Sequence, residues 1–453
     1  MRASQKALLT KGTVGKTLVD LTIPMVLGML GMVVFNLADT YFVGQLGKNE
    51  LAAMSFTFPV IMIVGSIAMG MGIGTSALVS RAIGEGNQQK VKRLTTDSLI
   101  LSLLVVMVFV VTGILTIDPV FRFLGANEEV LQLIREYMTI WYAGMIAIVI
   151  PMVGNNVIRA TGDTKTPSNV MLIAAVTNII LDPLLIFGLG PFPKLELEGA
   201  AIATVCARTI TLLVALWILY YRERLISFTI PKLKEMLHSW KQVLYIGIPM
   251  AGTNMLTSVA SGLITKLIAF YGSAAVAAFG VASRIEGFAL MLLMALGSAL
   301  SPFVGQNLGA KKFDRVELSI KYSQLFSIGW GLAVLIILAI TGKYLASIFS
   351  SDPEVISTVI IYFWIVPLGY GFQGVLKLVS TILNVLNKPL HSSILMLIQT
   401  FALYIPLAYL GTELIGLKGI FGAAALSYII SGISAYFLLK KNLADSMDYD
   451  FIR

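Results

Sequence analysis

The chain is poor in the residues that most protein chemistry needs. It has one cysteine, Cys206, and two histidines, His238 and His391. A lone cysteine excludes an internal disulfide and a zinc cluster of thiolates. It lies in an apolar segment and reads as a small core residue. The histidines stand far apart, near segment ends, and make no metal pair. No HExxH motif or serine–histidine arrangement is present, so the chain is not expected to be an enzyme, and no cofactor is expected. No GxxxxGK[ST] phosphate loop follows a strand. Gly70, Gly72 and Gly74 therefore read as places where helices approach closely. Charge is scarce too: 13% of residues are charged, against about 25% in ordinary soluble domains.

What fills the chain is apolar side chain, 57% of 453 residues. Lipid solvates such a chain better than water does. Twelve apolar segments are legible, roughly 18–45, 51–80, 95–117, 129–157, 167–189, 198–221, 242–271, 274–306, 318–341, 355–385, 391–411 and 418–439. Each is long enough to cross a hydrocarbon core of about 30 Å as a helix. The fold class is an all-α integral membrane protein with twelve transmembrane helices.

The net charge is +9. The basic residues collect in connecting segments, so membrane topology explains them and a nucleic-acid partner is not expected. One set of loops carries clusters such as Arg222, Arg224, Lys232, Lys234 and Lys241; the alternate set holds few cations among acids such as Glu128 and Glu198. The positive-inside rule then places both termini in the cytoplasm, in a multi-pass cell-membrane protein. The basic, polar N-terminus shows no cleavable signal peptide.

The two halves repeat. Ile23-Pro24-Met25 returns as Ile248-Pro249-Met250, an offset of 225 residues. The same offset carries Gly47 onto Gly272, Gly72 onto Gly297, Ser76 onto Ser301 and Gly84 onto Gly309. Later, Pro167 falls on Pro389 and Gly199-Ala200-Ala201 on Gly422-Ala423-Ala424. Six spans per half in the same order imply two six-helix lobes, 1–221 and 242–453, related by a pseudo-twofold axis along the membrane normal. Residues 222–241 are the expected cytoplasmic linker. Within it, Lys232 to Trp240 reads either as an amphipathic surface helix or as a solvated loop. Two repeated bundles are carrier architecture, and oligomerisation is not called for: a monomer is expected.

Ionisable groups inside spans are costly and mark candidate sites. Asp39 and Asp182 each precede a glycine at the outer end of the span by eight residues, about 12 Å at 1.5 Å per residue. Asn178 is one turn from Asp182, and Thr204 reaches a similar depth. Two carboxylates with an amide and a hydroxyl can hold a proton or coordinate Na⁺ through oxygen. The alternative is local: Asp39 capping a helix break and Asp182 satisfying backbone groups freed near Pro183. Pro24 permits a bend in the first helix and is a candidate hinge. The second half has Ile264 and Tyr404 at the repeat positions of the two aspartates. It carries Lys266, Glu286 and Lys377 instead. Glu286 reads as ion-paired to a lysine or as part of a ligand site. Asn155, Asn156, Glu286, Gln373 and Lys377 are candidate cavity residues.

These features resemble the multidrug and toxic compound extrusion family. The resemblance rests on the Ile-Pro opening of each half, NLADTYFVGQLG at 36–47, AIGEGN at 82–87, RATGDTKTP at 159–167 and EGAAIATV at 198–205. It implies an antiporter that exports amphipathic, often cationic compounds against inward H⁺ or Na⁺. Asp39, Asn178, Asp182 and Thr204 resemble the cation-coupling cluster of the archaeal and DNA-damage-inducible-type branch. Another branch carries acids in the seventh and tenth helices, where this chain has Lys266 and Lys377, so a second cation site there is not implied. A flippase for lipid-linked precursors is the alternative function.

Overall fold

A computed structural model describes residues 8–227 and 232–451, with side chains described to Leu443. Helices dominate: α1 (Val14–Gly44), α2 (Lys48–Gly84), α3 (Gln88–Phe123), α4 (Glu128–Ala143), α5 (Met145–Ala160), α6 (Lys165–Phe187), α7 (Glu196–Trp217), α8 (Leu233–Ala269), α9 (Ser273–Gly309), α10 (Phe313–Phe349), α11 (Pro353–Ile365), α12 (Tyr370–Val385), α13 (Pro389–Leu397), α14 (Ile405–Ile415) and α15 (Leu417–Phe451). Among the described residues, eleven continuous helical stretches are long and apolar enough to span a bilayer, and α4 with α5, bent by 47°, supplies the twelfth. All twelve expected spans are found. Several helices reach 37 residues, about 55 Å, so they project beyond the hydrocarbon. The exposed faces are lined by Leu, Ile, Val and Phe, including Leu115, Ile340 and Leu414. Such faces are stable only against acyl chains.

Helix ends follow local chemistry. Asn87, Asn127 and Asp352 accept bonds from backbone N–H groups of Lys90, Val130 and Glu354, capping α3, α4 and α11. Gly188, at φ 70°, ends α6 in the left-handed region that glycine adopts freely. In the RATGDTKTP stretch, the Asp163 carboxylate accepts from Thr166 N at 2.9 Å and from the Arg222 guanidinium. Burial raises the Asp163 pKa. The bonds from Thr166 and Arg222 outweigh that and hold it below the ordinary carboxylate value.

The chain divides into two compact units. One comprises 1–9 and Ile23–Ala251; the other comprises Thr10–Thr22 and Gly252–Arg453. The first is built on a core around Phe121, Leu131, Ile134, Met138 and Ile186. The second has its own core around Ile268, Phe363, Tyr370 and Phe421. Helix α1 changes unit between Thr22 and Ile23, beside Pro24, and α8 does so between Ala251 and Gly252, two residues past Pro249. The change of unit thus falls inside α8 rather than in 222–241.

Two details differ from the sequence reading. Residues 233–241 are the start of α8 rather than a separate surface helix or loop, and Trp240 Nε1 donates to the Asp97 carbonyl at 2.9 Å. Residues 228–231 of the expected linker lie outside the described residues. Cys206 is on the exposed face of α7, not in the core.

Candidate functional site

The site in the first unit is assembled by three close helix contacts. Glycines bring α1 against α6: a Cβ at Gly28 would stand 3.0 Å from Ser168 Cα, and one at Gly31 would stand 2.7 Å from Leu172 Cδ2. Two to three turns further along the same contact, Asp39 of α1 reaches the level of Asn178 and Asp182 of α6. Helix α7 packs as closely on the other side, since a Cβ at Gly199 would stand 2.6 Å from the Leu185 carbonyl. The bend between α4 and α5 comes at Gly144, where Val205 of α7 fills the space a side chain would take.

Asn178 Nδ2 donates to Asp182 Oδ1 at 3.0 Å and lies 3.5 Å from Thr204 Oγ1. Asp39 and Asp182 are near enough to interact electrostatically, and the buried Tyr137 is near enough to feel the charge of both. Asp39, Asn178, Asp182 and Thr204 are all buried. Asp39 Oδ1, Asn178 Oδ1 and Asp182 Oδ2 are buried without a hydrogen-bond partner. Three orphaned acceptor oxygens within one buried cluster of side chains are the donor set a hard cation or a proton needs. The local alternative is not what the bonds show: α6 runs unbroken through Pro183, and the one donor recorded on Asp182 is the Asn178 amide. Among the described residues no three Asp, Glu, His or Cys side chains converge as a metal site, so the cluster has two carboxylates and neutral oxygens for the rest.

Arg208 was not singled out from sequence. It lies one turn along α7 from Thr204, with its guanidinium 5.1 Å above the Phe35 ring and 3.8 Å from Met32 Sδ. Among the described residues no carboxylate is within 4.0 Å of it. Its i+4 spacing from Thr204 was the available signal. Tyr137 carried none, being one tyrosine among 16.

The other candidates separate. Asn155 is buried with Oδ1 unpartnered. Asn156 donates to its own Met152 carbonyl at 2.8 Å and seats over Gly72, which is a packing role. In the second unit Glu286 forms no ion pair with a lysine within 4.0 Å among the described residues. Its carboxylate instead accepts from the Tyr362 hydroxyl and, at 3.5 Å, from the Tyr428 hydroxyl, with Lys377 close enough to interact electrostatically. Lys266 is exposed in the last turn of α8. The second unit keeps a neutral echo of the first: Gln399 Nε2 donates to Ser427 Oγ at 3.4 Å, and Ser427 is the repeat partner of Thr204.

The MatE family model matches residues 24–184 and again 249–410, one copy in each half. The chain belongs to the MatE family. It is a multi-pass membrane transporter, as its relatives are. The FAD transporter of Shewanella oneidensis is 38% identical over 433 residues, covering 96% of each chain. The multidrug export protein MepA of Staphylococcus aureus is 24% identical, covering 97% of this chain and 96% of its own. The crystal structure of the Vibrio cholerae MATE transporter VcmN in the bent form superposes with a TM-score of 0.92 at 31% identity, over 96% of this chain and 98% of that one.

Proposed function

We propose that this MatE transporter is a secondary antiporter in which Asp39, Asn178, Asp182 and Thr204 hold the coupling cation, H⁺ or Na⁺, and that it exports amphipathic organic compounds. The observation that carries this reading is the cluster of buried side chains on α1 and α6 that leaves three oxygens unpartnered. A desolvated acceptor set is expensive unless a cation visits it. Two faces of the carrier then follow from binding: cation and cargo each favour a different state, and their fluxes are linked through that shared equilibrium. Pro24, beside the place where α1 changes unit, is the proposed hinge. Asn155, with Glu286, Gln373 and Lys377, is proposed to line the cargo path. Both termini are proposed to face the cytoplasm, and the monomer to be the working unit.

Two readings of the cargo have support. Relatives named for multidrug export favour cationic and amphipathic drugs. The 38% identity to a protein named FAD transporter favours a flavin nucleotide. A lipid-linked precursor remains the alternative carried by Lys377. The test is efflux of a cationic dye and of FAD from proteoliposomes under an imposed H⁺ or Na⁺ gradient. Wild type should respond to one of the gradients, and the Asp39→Asn, Asp182→Asn double variant should not. Equal gradient response in both proteins removes the proposed coupling site.

A further inference from the structure

Helix α12 has an unusual surface. Nearly all of its residues are buried by neighbouring helices of the second unit. The positions left partly open are Phe372, Gln373, Lys377 and Thr381. The last three are spaced by four residues, so they form one polar stripe along one helix face. A span whose open face is amide, ammonium and hydroxyl does not present that face to acyl chains. It borders water or a ligand.

The stripe is chemically incomplete. The Lys377 ammonium makes no hydrogen bond or ion pair among the described residues, and Gln373 Oε1 is buried without a partner. Glu286 is the obvious counter-ion, yet its carboxylate is occupied by Tyr362 and Tyr428. The tyrosines thus keep Glu286 close enough to balance the lysine charge while leaving the ammonium's three donors open. An open ammonium in a membrane helix, its counter-ion held by other partners, suits a cargo bearing a phosphate.

We propose that Lys377, flanked by Gln373 on the open stripe of α12, is the receptor for a phosphate group on an organic cargo. This deepens the reading of the chain as an organic-compound carrier and rests on it. It also divides the labour between units: the cation is held by the first, and the anionic end of the cargo by the second. Cargo charge then need not meet the aspartates, and the two ligands are linked through conformation.

The test uses the full chain in lipid nanodiscs, with riboflavin, FMN and FAD as probes, which share a ring and differ in phosphate. Binding is read by flavin fluorescence. Wild type should bind FMN and FAD about 10- to 100-fold more tightly than riboflavin, the range expected of a charge-assisted bond. Lys377→Gln should erase that margin, and Lys377→Arg should keep most of it. Riboflavin binding equal to FMN in wild type overturns the proposal without needing any variant to fold. A margin that survives in Lys377→Gln overturns it as well, as does wild type that binds none of the three. Gradient-driven dye efflux by the same wild-type preparation reports on the antiport reading separately.

Discussion

A methyl group at residue 199 should disable the cation site from a distance. Gly199 is the second residue of the EGAAIATV stretch. A Cβ there would stand 2.6 Å from the Leu185 carbonyl carbon and oxygen, where ordinary contact begins at 3.4 Å. The obstacle is backbone, so no side chain can swing aside. Helices α6 and α7 must part by about 0.8 Å, the difference between those two distances. The Asn178–Thr204 contact, already 3.5 Å, then passes out of hydrogen-bonding range. Overpacking of this kind costs about 1–3 kcal/mol of stability. Loss of the contact should weaken cation binding by about tenfold, the equivalent of one net hydrogen bond. Gly199→Ala should therefore fold, unfold at a lower temperature, and need about ten times more driving cation for half-maximal efflux. Thermal unfolding in detergent and cation-dependent efflux from proteoliposomes measure both. A variant with wild-type cation dependence would show that Thr204 is no part of the site.

Other perturbations bear on separate parts of the account. Tyr362→Phe removes a donor from Glu286 and should cost about 1.5–3 kcal/mol in stability, because bonds to charged groups are the strong ones; an unchanged melting temperature counts against the tyrosine cage. Asp163 has a depressed pKa in the folded state. Its contribution is therefore whole above the unfolded carboxyl value of about 3.9 and is lost as pH falls through the lower folded value. Asp163→Asn should lower the melting temperature at neutral pH, and the gap to wild type should close at low pH; a gap that is constant with pH contradicts the assignment. Pro24→Ala restores a backbone donor in α1 and should slow driven efflux while leaving cation binding in place. Loss of binding instead would make Pro24 a structural element of the pocket rather than a hinge.

The spans were legible because each is a long apolar run, and the two aspartates because a charge stands out in such a run. What joined them was less visible. The notches at Gly28, Gly31 and Gly199 set the depth at which α1, α6 and α7 meet, and a glycine in an apolar helix looks the same whether it makes a notch or faces lipid. Gly252 and Gly262 have open space where a Cβ would be. The change of unit inside α1 had one mark, Pro24, which permits a bend but does not signal that the chain passes from one unit to the other there, since the apolar pattern runs through it without interruption. Glu286 was found but its partners were not: tyrosine is at home in cores and interfaces alike, so Tyr362 and Tyr428 gave no signal. Cys206 was misplaced for a related reason. In a membrane protein an apolar segment has two apolar surroundings, core and lipid, and one sequence cannot tell which a small residue faces.

The central claim is that the buried carboxyl groups on α1 and α6 take up the coupling cation. Infrared difference spectroscopy of the reconstituted protein, recorded as Na⁺ or pH is changed, reads those groups directly. The account predicts a carboxyl band that changes with one of the two cations in wild type and is absent from the Asp39→Asn, Asp182→Asn variant. A difference spectrum that is the same in both proteins would contradict it.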